Sequence, residues 1–200
     1  MANIAVQRII REFKEVSSSQ ELEATGIKVT VETDTYQELK GEIRGPPDSP
    51  YEGGIYEMAI QIPEMYPFHP PKVRFITRIW HPNISSVTGA VCLDVLKDQW
   101  AASLTLRTVL LSIQVLLGCP EPNDPQDAVV ARQMIEEPQL FRETARFWAK
   151  TYAKSPCQVS PEYDKKVRSI TEMGVAQDTA IAALSQCRWD VSSAIDYLFS

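Results

Sequence analysis

The side chains best suited to covalent chemistry in this sequence are its four thiols, Cys92, Cys119, Cys157 and Cys187. They are far apart, no two form a C-x-x-C pair, and neither histidine lies at ligand spacing from such a pair. We therefore expect no metal site. A reducing cytosol would keep such dispersed cysteines as free thiols. Because a thiolate is a good nucleophile, the sequence indicates one reactive cysteine among inert ones.

Composition limits the classes of protein to consider. The chain has 200 residues, 44% of them apolar, which is enough for one full core with residues left for a small second unit. Its formal net charge is -6 and it has no long run of Lys or Arg, so nucleic acid is not an expected partner. Charges interrupt every apolar stretch of the N-terminal segment MANIAVQRIIREFKEV, and no later segment has the apolar length needed to span a membrane. We expect no signal peptide, no membrane partner and a cytoplasmic location, with the nucleus as a second compartment.

Hydrophobic periodicity predicts the elements that position the cysteines. Residues 4–16 carry apolar side chains three or four positions apart, as an amphipathic helix does. From residue 27 to residue 76 four alternating segments are separated by turn-rich pieces, which predicts a four-stranded antiparallel meander. Residues 77–104 keep neither period and contain proline, glycine and two tryptophans, so we predict a long ordered loop. This loop contains Cys92.

Three helices are predicted after the loop. Thr105 can cap a helix that ends at Gly118, where the prolines that follow prevent its continuation. Two more helices are expected at 125–137 and 138–154.

A short linker at 155–160 then leads to a helical end of the chain. The amphipathic segments expected there are 161–172, 178–187 and 191–199. We therefore predict an α+β fold over residues 1–154 and a small C-terminal three-helix domain over residues 161–200.

A specific motif surrounds Cys92. Residues 66–100 read YPFHPPKVRFITRIWHPNISSVTGAVCLDVLKDQW, which combines YPFxPP, a His-Pro-Asn triplet, a cysteine followed by Leu-Asp, and a tryptophan. The combination resembles the active-site region of ubiquitin-conjugating enzymes, and the resemblance extends over residues 1–154. It implies an N-terminal helix, a four-stranded meander and three further helices. The implied partners are ubiquitin, the ubiquitin-activating enzyme and ubiquitin ligases.

The resemblance implies that Cys92 carries ubiquitin as a thioester and passes it to lysine. Exchange between thioesters needs little driving force and no metal, so one accessible cysteine suffices for loading. Attack by lysine builds an oxyanion, and Asn83 is the candidate amide donor to it. Asn83→Ala should then impair transfer by about 10²- to 10³-fold, and loading far less. We expect no cofactor in the protein itself, since the activating enzyme uses the ATP.

Two carboxylates are implied to act on the attacking lysine. Because an unperturbed lysine has a pKa of about 10.4, the site should desolvate the amine and orient it with an acceptor. The resemblance gives this role to Asp124, with Asp94 as a second acid; the alternative for Asp124 is to cap the next helix. His81 could serve as the base of a cysteine protease, but its Pro-Asn context favours a ring that fixes the loop by local hydrogen bonds. The alternative for Cys92 is a small buried hydrophobe.

Two docking surfaces follow from the same resemblance. The first helix of the family meets the activating enzyme, and a row of cations suits an acidic groove, although a solvated face is the alternative. The candidate contacts on this helix are Arg8, Arg11 and Lys14. The candidate contacts with ligases are Phe68, Ala101 and Ala102.

The last forty residues resemble a ubiquitin-associated domain. They have a Met-Gly pair after the first helix, an alanine-rich second helix and WDVSSAIDYL in the third. Glycine permits a left-handed helix end, and exposed apolar side chains beside it would suit the apolar face of ubiquitin. The candidate ubiquitin contacts are Met173, Gly174, Val175, Leu198 and Phe199. The alternative is that these residues complete the three-helix core.

Two functions remain open from the sequence. The first is a monomeric ubiquitin-conjugating enzyme that acts through Cys92 and builds polyubiquitin chains, helped by a tethered ubiquitin-binding domain that raises the local concentration of a growing chain. The second is a non-catalytic adaptor that uses the same fold only to bind ubiquitin. The presence of Cys92 favours the first.

Overall fold

The structure, a computed structural model, describes residues 3–32 and 35–200. Its first half contains α1 (Asn3–Ser17), α2 (Gln20–Ala24), β1 (Ile27–Val31), β2 (Glu38–Arg44), β3 (Ile55–Gln61), β4 (Lys72–Phe75) and a 3-10 helix (Asp94–Leu96). The second half contains α3 (Leu106–Gly118), α4 (Ala128–Glu136), α5 (Pro138–Ala153), α6 (Pro161–Thr171), α7 (Gln177–Gln186) and α8 (Val191–Phe199).

The four strands form one antiparallel sheet in the order β1-β2-β3-β4, so the predicted meander is confirmed. The alternation in the sequence becomes an alternation of burial, and β3 buries Tyr56, Met58 and Ile60 on one face. Neighbouring strands carry this register across the sheet, since Ile60 pairs with Val73 on β4. One buried face is the physical reason for this register, because a slip of one residue would expose every apolar side chain.

Helices α1 and α3 cover the buried face of the sheet. On α3 the side chains of Val109, Leu110 and Ile113 are fully buried, and Thr105 caps the helix by accepting a hydrogen bond from the backbone N–H of Thr108. A buried aliphatic side chain of this size contributes about 1.5–3 kcal/mol. The predicted helix from the Thr105 cap to Gly118 is therefore confirmed.

Two local predictions need correction. Helix α2 was not predicted, because its five residues are too short for a periodic signal; Ser19 caps it and Leu22 anchors it in the core. Helix α4 begins at Ala128 rather than at residue 125, because Asp127 caps it, accepting from the backbone N–H of Val130.

Helices α6, α7 and α8 form within one residue of the expected ranges and pack on the rest of the protein through α5. The indole N–H of Trp148 donates to Ser185 Oγ at 2.8 Å, and the indole N–H of Trp189 donates to Thr144 Oγ1 at 2.9 Å. All four residues are buried, so these bonds do not compete with water. The C-terminal helices are thus held against α5 by specific buried contacts.

Candidate active site

Cys92 lies at the end of a loop that folds back against β4. The backbone N–H of Cys92 donates to the carbonyl of Asn83 at 2.8 Å, which closes the loop between them. Gly89 has φ +74, and a Cβ there would lie 2.1 Å from the carbonyl oxygen of Phe75. Only glycine allows this approach, so backbone sterics as well as hydrogen bonds determine where the thiol stands.

The thiol of Cys92 is less open than the sequence led us to expect. The residue is 8% exposed, and its Sγ lies 3.0 Å from Lys97 Nζ and 3.8 Å from Asp124 Oδ2. Both covering residues are themselves exposed. The expectation of an open sulfur is therefore corrected: Cys92 is buried, and two exposed surface side chains lie against its sulfur.

His81 fixes this loop from behind. Its ring is fully buried, its Nδ1 accepts from the backbone N–H of Asn83 at 3.0 Å, and its Nε2 lies 3.0 Å from the carbonyl of Leu116. Burial lowers the pKa of His81 to about 4, with the hydrogen bond to Leu116 opposing the shift. The ring is neutral at pH 7 with both nitrogens in use, so the local structural role is confirmed and a protease-like base is excluded.

The amide of Asn83 is used within the protein. Its Nδ2 donates to the carbonyls of Glu121 and Asp124, at 2.8 and 3.0 Å, and its Oδ1 accepts from the backbone N–H of Glu121 at 2.8 Å. Both amide hydrogens therefore have partners, and the side chain is 2% exposed. In the unloaded protein Asn83 therefore anchors the loop that carries Asp124. Its role as a donor to the oxyanion stays a prediction.

The three nearby aspartates have separate positions. Asp124 approaches the sulfur of Cys92, whereas the cap of α4 is Asp127, so the alternative role for Asp124 does not hold. Asp94 is exposed at the start of the 3-10 helix, and its carbonyl accepts from the backbone N–H of Lys97. Sequence reasoning missed Lys97; its position five residues after the cysteine, across a short turn, was the available signal.

Beside Cys92 runs an open groove of about 430 Å³ between the 3-10 helix and α3. Its lining includes Leu93, Val95, Leu111, Val115 and Cys119. No group of three or more His, Cys, Asp or Glu side chains that could hold a metal ion occurs within residues 3–32 and 35–200. The arrangement offers a thiol with a cation and a carboxylate beside it, and a separate groove that begins at the next residue, Leu93.

Comparison with known proteins identifies the family. The family model described as ubiquitin-conjugating enzyme matches residues 8–149. The chain belongs to the ubiquitin-conjugating enzyme family.

Individual relatives match over the whole chain. Ubiquitin-conjugating enzyme E2 K of Homo sapiens is 61% identical over 200 residues, covering 100% of both chains. Ubiquitin-conjugating enzyme E2-22 kDa of Drosophila melanogaster is 56% identical with the same coverage. Among solved structures, a ubiquitin-conjugating enzyme E2 domain from Toxoplasma gondii has a TM-score of 0.68 and 46% identity, covering 74% of this chain and 98% of that one.

Family membership establishes the reaction and the general partners. A ubiquitin-conjugating enzyme is a transferase that works through a cysteine thioester, and it interacts with ubiquitin, an activating enzyme and ligases. The non-catalytic adaptor is not favoured. Within the described ranges, no helix combines the length and the apolar character needed to cross a membrane.

The cations predicted for the activating-enzyme surface of this ubiquitin-conjugating enzyme are not equivalent. Arg8 is only 21% exposed; its Nε pairs with Glu12 at 2.6 Å, and its guanidinium also donates to the carbonyl of Leu104 at 2.9 Å. Arg11 and Lys14 are exposed. Arg8 therefore neutralises the buried carboxylate of Glu12 in the free protein, and its contact with the activating enzyme stays a prediction.

The predicted ligase contacts lie on two adjoining loops of the enzyme. Phe68 is 72% exposed, and Ala101 and Ala102 are exposed. The indole N–H of Trp100 donates to the carbonyl of Pro67 at 2.8 Å, which joins the two loops. The structure therefore brings these predicted contacts together on one surface.

The predicted ubiquitin contacts in the C-terminal helices divide into two groups. Met173 is 51% and Phe199 63% exposed, and Gly174 at the end of α6 has φ +90. Val175 and Leu198 are half-buried and pack against the core. An additional exposed aromatic, Tyr197, was missed by sequence reasoning although it lies inside the quoted third-helix motif.

Proposed function

We propose that Cys92 is the cysteine that carries ubiquitin as a thioester and that it transfers ubiquitin to a lysine. The observation that carries this assignment is the position of its sulfur, 3.0 Å from Lys97 Nζ and 3.8 Å from Asp124 Oδ2, two side chains that are themselves exposed. Cys119 is exposed, but within residues 3–32 and 35–200 its thiol has no hydrogen bond to a charged side chain.

Loading replaces the thioester on the activating enzyme with a thioester on Cys92. The thiolate of Cys92 attacks the thioester carbonyl on the activating enzyme, a new C–S bond forms, and the activating enzyme leaves as a thiolate. The energies of the two C–S bonds are similar, so the protein needs only to present the sulfur. Its loop does this through the Asn83 carbonyl and the buried His81 ring.

Transfer to lysine needs an acceptor for the incoming amine. Asp124 stands beside the sulfur on a loop that Asn83 anchors, so its carboxylate can accept a hydrogen bond from the ammonium and orient it toward the carbonyl. The ammonium first gives up one proton to solvent, and the neutral amine then attacks. The C–N bond forms, the C–S bond breaks with Cys92 leaving as a thiolate, and the second proton passes to Asp124 or to solvent. Asp94 adds negative charge at the entrance.

A loading assay tests the assignment. The protein is incubated with ubiquitin, activating enzyme and ATP and then run on a non-reducing gel. We expect a thiol-sensitive adduct that Cys92→Ser converts to a thiol-resistant ester, whereas Cys119→Ser, the matched control, loads normally. Asp124→Asn should load but discharge to lysine about tenfold more slowly or worse. Absence of a Cys92 adduct in a folded sample would overturn the proposal.

The C-terminal helices are proposed as a ubiquitin-associated domain over residues 161–200, joined by a 155–160 linker to a catalytic domain over residues 1–154. Support comes from the exposed apolar side chain of Met173 next to Gly174, which has a positive φ, and from a second exposed apolar side chain, Phe199, at the end of α8. Because these helices dock on α5, a ubiquitin bound there is held at a fixed distance from Cys92. This arrangement favours ubiquitin itself as the acceptor and hence polyubiquitin synthesis by a monomer, without a cofactor of its own, in the cytoplasm and the nucleus.

Ubiquitin titration followed by NMR tests this second proposal. Met173→Asp should weaken binding by about tenfold or more, because an apolar contact would then bury a charge. Glu172→Ala, a change at the adjacent exposed residue, serves as the control. Loading of Cys92 should be unchanged in both. Wild-type affinity in Met173→Asp would show that ubiquitin does not bind this patch.

A further inference from the structure

We propose that Ser86 is a positioning residue for the transfer of ubiquitin to lysine, because its hydroxyl fixes the downstream end of the loop that carries Asp124. This loop comprises residues 119–127 between α3 and α4, and we call it the Asp124 loop. The inference rests on the proposed roles of Cys92 and Asp124. It concerns a side chain to which neither the sequence motif nor the family assignment gave a role.

The Asp124 loop depends on contacts with the rest of the protein for its position. It contains no helix or strand, and most of its side chains, including that of Asp124, are exposed. A segment that buries so little apolar surface opens at a low cost in free energy. The place of the Asp124 carboxylate is therefore set by the hydrogen bonds that hold the two ends of the loop. Asn83 holds the upstream end, at Glu121.

The downstream end is held at Asp127. The carbonyl of Pro82 accepts from the backbone N–H groups of Gln126 and Asp127, at 2.8 and 2.9 Å. Ser86 Oγ donates to Asp127 Oδ2 at 2.6 Å, and the backbone N–H of Ser86 donates to the same oxygen at 3.1 Å. The other oxygen of Asp127 caps α4 by accepting from the backbone N–H of Val130. Ser86 is only 7% exposed, so little water competes for its hydroxyl.

Ser86 belongs to the same backbone unit as the reactive thiol. Residues 84–91 form a short hairpin that carries Ser86 at its turn and leads directly into Cys92. Asp127 lies three residues after Asp124, whose Oδ2 is 3.8 Å from Cys92 Sγ. The hydroxyl of Ser86 thus joins the end of the Asp124 loop to the hairpin that ends at the sulfur. Because a displacement of about 1 Å at a reacting centre can cost about 10²-fold in rate, release of this end should slow transfer.

The first test measures discharge of the loaded, full-length protein to free L-lysine after the activating enzyme has been inactivated. Ser86→Ala should load normally and discharge about three- to tenfold more slowly, because the α4 cap remains while the Asp124 loop loosens. Ser85→Ala is the matched control. The Ser85 hydroxyl accepts from the backbone N–H groups of Val87 and Thr88 within the hairpin, so its loss removes comparable bonds without releasing Asp127. This control should discharge at the wild-type rate.

A double-mutant cycle separates positioning from general support of the fold. In an Asp124→Asn background, Ser86→Ala should slow discharge by less than about a further twofold, because the group that Ser86 positions has already been removed. Two effects that multiply in full would show that Ser86 does not act through Asp124 and would overturn the inference.

The second test measures hydrogen exchange in the unloaded protein and does not involve ubiquitin. Ser86→Ala should accelerate exchange of the Asp127 amide by about two- to tenfold, with little change at the Glu121 amide, which Asn83 holds. Wild-type exchange at Asp127, or wild-type discharge by Ser86→Ala, would overturn the inference.

The same measurements distinguish this failure from failure of the proposed function. A wild-type protein that does not load on Cys92 refutes the proposed function and this inference with it. Asp124→Asn that discharges as fast as the wild type refutes the role of Asp124 and therefore that of Ser86. Normal loading, slow discharge of Asp124→Asn and unchanged discharge of Ser86→Ala together refute the role of Ser86 alone.

Discussion

Replacing Asn83 by alanine decides whether its amide anchors a loop or stabilises charge on the reacting carbonyl. The side chain makes three hydrogen bonds, one accepted from the backbone N–H of Glu121 and two donated to the carbonyls of Glu121 and Asp124. A typical hydrogen bond contributes about 0.5–1.5 kcal/mol, so the loss of three should lower the free energy of unfolding by about 2–4 kcal/mol. The loop would also release Asp124 from its place beside Cys92.

Two measurements report directly on the anchor. Urea denaturation gives the change in the free energy of unfolding. Hydrogen exchange at the Glu121 amide, whose N–H donates to Asn83 Oδ1, reports on local opening and should be about tenfold faster for each 1.4 kcal/mol lost. Loading of Cys92 should persist while discharge to lysine slows.

A double-mutant cycle with Asp124→Asn identifies the route of the kinetic effect. If Asn83 acts by placing Asp124, the double variant should discharge little more slowly than the slower single variant, because both changes remove the same function. Our reasoning is refuted if Asn83→Ala loses less than about 0.5 kcal/mol, keeps wild-type exchange at Glu121 and still discharges about 10²-fold more slowly. The amide would then stabilise the oxyanion directly.

Three further predictions concern the framework. The pKa of buried His81 is about 4, against about 6.5 in the unfolded chain, so the unfolded state gains a proton first as the pH falls. Between pH 7 and pH 4.5, urea titrations should show that the wild type loses about 2 kcal/mol more unfolding free energy than His81→Gln. Equal losses would contradict a buried neutral ring. Trp189→Phe keeps an aromatic ring but loses the indole N–H that donates to Thr144, so calorimetry should show a loss of about 1–2 kcal/mol, against about 3–5 kcal/mol for Trp189→Ala. Similar losses would mean that the hydrogen bond dominates. Arg8→Ala should lower the free energy of unfolding by about 1–3 kcal/mol, because it leaves the buried carboxylate of Glu12 without its cation. Arg11→Ala should change the free energy of unfolding by less than about 0.5 kcal/mol and mainly slow the loading of Cys92. The reverse pattern would favour Arg8 as a docking cation.

Local structure could be predicted well because its causes lie in contiguous residues. The alternation in β3, the period and cap of α3, and the three C-terminal helices each depend on the spacing of apolar side chains within about fifteen residues. The segment around Cys92 was recognisable for the same reason, since its motif is continuous in sequence. Helix α2 was missed because five residues do not complete a period.

The sequence alone therefore determined the order of the elements, the buried faces and the cysteine most suited to catalysis. Only the tertiary structure decided which polar groups are in use: Arg8 bonds to a carbonyl 96 residues away, and Asn83 to a loop 38 to 41 residues away. It also showed that Lys97 covers the thiol and that Trp148 binds Ser185 on the C-terminal helices. Periodicity states which face of an element is buried. It cannot state which side chain of a distant segment arrives there, because hydrogen-bond partners are chosen by distance and angle in the folded chain.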